Sequence, residues 1–316
     1  MQISIAASAV VLLLAGVSAH AESSDVVKDM ASIPRGEFMM GSSEHADEPQ
    51  HRVVLDHYFI DKYEVSNERY KTFMKATQYP APAYWDDPRL SRPNQPVVGV
   101  SWIDADAFCK WDGKRLPTEA EWERAAKGPA GENHFPWGHT IDPQKANYGQ
   151  HVGRTAPVDS YPEGVNGFGL YHMAGNVFEW VEDWYEPSYY KHSIALNPKG
   201  AEQGYNFAKQ GPVKVLRGGS WLAPETSLHT SHRFWNQPNN NSYGVGLGFR
   251  CAKSAQVLSD EAMQESRNAF IDALVKMGAE KHADAMVSID KALADDPTNQ
   301  EYLATRELIK KNVKRK

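Results

Sequence analysis

Gly169-Leu-Tyr-His-Met-Ala-Gly-Asn-Val-Phe-Glu-Trp180 is the stretch whose reading decides the fold. Glycines, aromatic side chains and one carboxylate are interleaved there without a long apolar run. The same texture extends outward to Arg217-Gly-Gly-Ser-Trp221 and Gly248-Phe-Arg-Cys251 downstream, and to Lys114-Arg-Leu-Pro-Thr-Glu-Ala-Glu-Trp122 upstream. Across residues 30–254 aromatics and turn formers dominate, and apolar runs such as Phe38-Met-Met40 and Val53-Val-Leu55 are short. Helical periodicity is confined to a few segments. Val65–Met74 spaces Tyr70, Phe73 and Met74 on one face behind Ser66 as N-cap. Trp102–Trp111 carries a second helical pattern, and Pro117–Ala126 opens with Thr118 followed three residues on by Glu121, a capping-box spacing. The remainder reads as short strand and long ordered loop. So much loop in a compact domain needs pins, and aromatics, a disulfide and bound cations would supply them.

At 316 residues the chain is long enough for one large domain and a smaller appendage. A hydrophobic fraction of 41% and a charged fraction of 23% describe an ordinary globular protein. The net charge of −6 gives no electrostatic reason to expect nucleic acid or an anionic membrane as partner. The basic end, Lys310–Lys316, reads as a solvated helix terminus. Residues 3–18 are apolar apart from serines, and Ala19-His20-Ala21 precedes the polar Glu22, the pattern of a signal peptide cleaved after Ala21. Beyond it no apolar run reaches ~18 residues, so no membrane span is expected. The expected location is an oxidising compartment, most simply a periplasm, where two cysteines, Cys109 and Cys251, would pair.

Taken together, the four quoted segments resemble the formylglycine-generating, sulfatase-modifying-factor family, with matching order and spacing over about residues 30–254. Ile33–Ser42, Glu48-Pro49 and Phe59–Asn67 also fit its N-terminal pattern. The resemblance implies an α+β, C-type-lectin-like fold rich in ordered loops, and a structural disulfide between the positions matched by Cys109 and Cys251. The expected organisation is a signal peptide over 1–21, the family domain over 22–254 and a helical extension over 258–316. Asp61, Glu64, Arg115 and Glu121 read as loop-fixing groups, the last two as a buried ion pair.

Calcium is a cofactor the resemblance implies. One site maps onto His172, Gly175, Val177 and Glu179, a second onto Asn147 and Tyr148 with Gln150 where an acidic loop is shortened. Imidazole is a poor calcium ligand, which leaves Glu179 and two carbonyls at the first site. Copper(I) is not expected. Family members that oxidise cysteine hold it with a thiolate pair after Gly-Gly-Ser, and no cysteine lies between Ser220 and Arg250 here. The loop offers instead Ser220, Trp221, His229, His232 and Arg233, with Phe178 beside it, as candidates for a cleft with Arg233 as charged anchor. His229, His232 and Glu225 are the candidate metal ligands within it. The family's iron-dependent branch takes its histidines from an additional helical domain, and that activity is not expected. Walker, Rossmann, Gly-x-Ser-x-Gly and His-Glu-x-x-His motifs are missing.

After Lys253 the texture changes to steady helical periodicity, and Glu280–Asn299 resembles the second helix and closing turn of a tetratricopeptide repeat. Ala283, Ala285 and Ala292 permit close helix approach, and Pro297 stops the helix. The extension adds partner-facing surface without reactive groups. The expected function is therefore that of a periplasmic accessory, maturation or regulatory factor that binds a protein or small ligand in the family cleft. A metal- or cofactor-dependent oxidoreductase is the alternative, and a true formylglycine generator the third reading.

Overall fold

Why the helices start where they do is visible in their first turns. The computed structural model describes residues 27–43, 45–207, 211–239, 244–255, 260–295 and 299–313; the expected signal peptide and Pro297 lie outside them. The chain divides into two units, Met1–Lys253 and Ser254–Lys316. The first unit holds α1 (Asn67–Thr77), α2 (Trp102–Trp111) and α3 (Glu119–Lys127); the second holds α4 (Asp260–Gly278), α5 (His282–Asp295) and α6 (Gln300–Val313). The Ser66 hydroxyl caps α1 by accepting from Arg69 N at 3.3 Å. Capping boxes start α2 (Ser101 and Asp104) and α3 (Thr118 and Glu121). Helix α3 is buried on every side, Glu119, Glu121, Glu123, Arg124 and Lys127 included. Buried charges must be paired, and the partners of α3 organise the candidate site.

Among the described residues the strands are β1 (Met30–Ile33), β2 (Gly36–Met40), β3 (His51–Leu55), β4 (Tyr58–Asp61), β5 (Phe178–Trp184), β6 (Lys214–Arg217), β7 (Phe234–Asn236), β8 (Leu247–Phe249) and β9 (Ala252–Ser254). They form sheets of order β1-β4-β9, β2-β3 and β7-β6-β5-β8. In the last sheet Glu179 of β5 stands opposite Arg217 of antiparallel β6 and Gly248 of parallel β8. Three of the four motifs that decide the fold are thus neighbours on adjacent strands.

Two large apolar clusters and a small third one of Leu90, Val98 and Val177 fill this unit. Of the large two, one gathers Tyr70, Phe108, Trp180, Phe249 and the Cys109–Cys251 pair, the other Tyr58, Ile60, Trp122 and Val215. Cys109 and Cys251 are bonded across a sequence separation of 142, with Cα atoms 5.6 Å apart. A bridge over a loop of that size removes roughly 4 to 5 kcal/mol of denatured-state entropy. Indole N–H groups pin the loops: Trp102 donates to Val181 O at 2.8 Å, Trp180 to Val100 O at 3.1 Å and Trp221 to Val245 O at 2.6 Å. Arg115 forks onto Glu121 at 2.7 and 2.6 Å, the expected ion pair, with Arg115 half-buried. Asp61 accepts from Arg69 at 3.0 Å and Lys114 at 2.8 Å, and Glu64 from Asn176 at 2.6 Å, so both fix loops.

In the second unit Ala273, Ala285 and Ala292 are fully buried with Ile289 and Ile309, and Phe270 stacks on Tyr302 at 4.6 Å. Three helices share this core. Val275 and Val287 stay 64% and 71% exposed, an apolar surface that the helices do not cover for themselves.

Candidate functional site

The loop from Gly218 to Asn236 is held down by two arginines at its ends. Arg217, closing β6, donates to Glu119 at 3.2 Å, to Glu123 at 2.5 Å and to the carbonyls of Ser231 and Thr230 at 2.9 and 2.6 Å. Arg233, leading into β7, places two N–H groups on Glu119 at 2.8 and 3.1 Å and donates to Asp47 O at 2.9 Å. Its guanidinium also lies over Tyr190 at 4.2 Å and Tyr185 at 4.7 Å. Glu123 accepts from Gly41 N at 2.6 Å and from Lys127 at 2.8 Å. Glu119 and Glu123 stand one helical turn apart on α3, so a single helix face ties the 41–48 segment to the 217–233 loop. The expectation of Arg233 as an open anchor for a ligand is corrected here. Its side chain is 1% exposed and fully engaged within the protein.

The other candidates are distributed along the loop. Ser220 is buried and accepts from Leu222 N at 3.3 Å. Phe178 stacks on Phe234 at 5.3 Å, Trp235 on Phe207 at 4.0 Å, and Trp221 is buried with its indole on Val245 O. Asn236 pairs with Lys214 in the β6–β7 register. Leu222 is exposed, as is Glu225 at the start of a 3-10 turn. A concavity of about 490 Å³ between Arg92–Gln95 and Val152–Tyr161 is lined by none of the residues from Arg217 to Asn236.

At the calcium positions, both oxygens of Glu179 are occupied by protein donors. Arg250 donates to each at 2.7 Å, and Trp122 adds an indole N–H at 2.8 Å. No open carboxylate is left there. Gly175 has φ +80°, and a Cβ would meet Asn147 O at 2.4 Å, so only glycine fits. Val177 N donates to Glu64 at 3.3 Å. His172 is buried with Nε2 3.0 Å from Pro157 O, and burial lowers its pKa to about 4. Asn147 donates to Arg154 O and Asn176, while its buried Oδ1 has no protein partner; Tyr148 beside it packs on His151 at 5.0 Å.

The histidines separate. His229 packs edge-on against Phe135 at 5.0 Å. His232 instead meets His45, their rings 5.6 Å apart, and His45 Nε2 lies 3.7 Å from Glu48 Oε1. Among the described residues His45, Glu48 and His232 form the one group with ligand atoms within 4.8 Å of each other; the expected trio with His229 and Glu225 is not brought together. Burial, opposed by Arg217 and reinforced by Glu123 and Asp47, lifts the Glu48 carboxyl to about 8. Burial, with Arg217 and His45, holds His232 down to about 4. Sequence reasoning passed over His45, because Glu48 was read only as part of the family's N-terminal pattern. The His45/Glu48 spacing of three was the available signal, and nothing local links it to His232.

Residues 16–255 match the sulfatase-modifying factor enzyme 1-like domain. The chain is 35% identical over 297 residues to the formylglycine-generating enzyme of Streptomyces coelicolor, covering 73% of this chain and 91% of that enzyme. It is 37% identical over 249 residues to a Chlamydia caviae protein named serine/threonine-protein kinase pkn1, covering 72% of this chain. It spans only 38% of the length of that relative. Among solved structures, PvdO from Pseudomonas aeruginosa superposes with a TM-score of 0.59 at 29% identity over 72% of this chain and 94% of that one. With its motifs meeting in one sheet and around α3, the chain belongs to the family of sulfatase-modifying factor enzyme 1-like domains.

Proposed function

We propose that this protein is a periplasmic accessory or maturation factor that binds a protein partner on the face carrying the Gly218–Asn236 loop, and that it does not generate formylglycine with copper. One observation carries the reading. The chain has two cysteines, and both are committed to the Cys109–Cys251 bridge inside an apolar cluster. No thiolate remains to hold copper(I), which needs soft ligands. The loop that would carry them is closed over α3 by two buried, ion-paired arginines, with Leu222 and Glu225 presented outward. The exposed apolar side chains of the helical unit, Val275 and Val287 among them, supply a second surface suited to protein rather than to a small substrate. A photo-crosslinking residue at Leu222 should trap a discrete periplasmic protein, and deleting residues 258–316 should weaken that adduct. Crosslinking no stronger than from a distant surface position such as Lys71 would refute the reading.

A further inference from the structure

We infer that His45, Glu48 and His232 form a binding site for one divalent transition-metal ion of zinc type, at the edge of the Gly218–Asn236 loop. Two imidazoles and a carboxylate are a ligand set that zinc and its neighbours accept. In a tetrahedral zinc site, with bonds near 2.0–2.1 Å, ligand atoms stand about 3.4 Å apart. His45 Nε2 and Glu48 Oε1 are already at 3.7 Å, and all three ligand atoms fall within 4.8 Å. The remaining gap is small enough for His45 to close, because its side chain is 47% exposed on a surface segment.

Two further observations point to a cation. Glu48 is 1% exposed and its Oε2 has no protein partner, and the buried Nδ1 of His232 has none either. Unsatisfied buried polar atoms are rare because each forfeits its hydration, so a pair in one cluster asks for a ligand. The local charge points the same way. Asp47, Glu48, Glu119 and Glu123 are four carboxylates around the three fixed cations Arg217, Arg233 and Lys127. Arg217 faces the site ion-paired to Glu119 and Glu123, which it shares with Arg233 and Lys127, so the carboxylates of Asp47 and Glu48 are what offset it. Three protein ligands and an exposed histidine leave a coordination position open to solvent, as in reactive rather than closed structural sites.

The test uses the full mature chain without an affinity tag, stripped with chelator and titrated with zinc chloride by calorimetry. The expected result is one saturable equivalent. His45→Ala, Glu48→Gln and His232→Ala should each weaken it at least ten-fold, and His229→Ala should leave it within two-fold. Cobalt(II) should give a visible d–d absorption that His232→Ala abolishes, which reports direct coordination. His45→Ala, at an exposed position, guards against a trivial loss of fold. Absence of a saturable equivalent, several weak sites, or affinity unmoved by the three substitutions would overturn the assignment. These measurements read metal and not partner, so their failure leaves the accessory-factor reading standing.

Discussion

Arg233 shows what a single residue concealed in the sequence. As a basic side chain in a loop it suggested a ligand anchor, whereas its two N–H groups on Glu119 make it a buried counter-ion. Removing one partner of such a pair leaves an uncompensated buried charge, at a cost of about 3–5 kcal/mol. Arg233→Ala should therefore lower the urea unfolding midpoint by that equivalent, and a loss below ~1 kcal/mol would contradict the pairing. Glu48 gives a pH test. Its carboxyl sits at about 8 in the folded protein against 4.5 for an unshifted glutamic acid, so between these values the native state holds a proton that the unfolded chain releases. Its contribution is complete below 4.5 and is lost as pH rises towards 8. In chelator, Glu48→Gln should gain stability relative to wild type between pH 5 and pH 8.5; a pH-independent difference would show that Glu48 is not perturbed. Neither property was legible locally, because both depend on charges distant in sequence.

At the level of elements, legibility was better where the signal was local. The caps of α1 and α3 follow from Ser66 and from the Thr118–Glu121 spacing, and the Arg115–Glu121 pair from the same motif. The Ser101–Asp104 box of α2 has the same physical form but went unread because Asp replaces Glu at the third position. The loops resisted reading because indoles and buried carboxylates fix them, not backbone pattern. The disulfide ties α2 to the segment between β8 and β9 and can be tested at this scale. Denatured, unreduced protein should show no thiol. Replacing both cysteines by alanine should cost about 2–5 kcal/mol, as removal of a native bridge usually does. Two titratable thiols in the untreated protein would contradict the bridge.

Considered whole, the molecule keeps the family's frame and lacks the family's copper ligands. The frame is legible because four motifs keep the family's order and spacing, although Glu179, read there as a calcium position, is in the structure the partner of Arg250. The chemistry is less so, since ligand sets gather residues from distant loops, as His45 and His232 do. The two units have separate apolar cores. The central claim is that a formylglycine-generating fold serves here without copper-dependent cysteine oxidation. The most direct measurement incubates the pure protein with copper(I), oxygen and a sulfatase-type cysteine peptide and weighs the peptide by mass spectrometry. The account predicts that no aldehyde forms on the peptide; conversion of its thiol carbon to an aldehyde would contradict it.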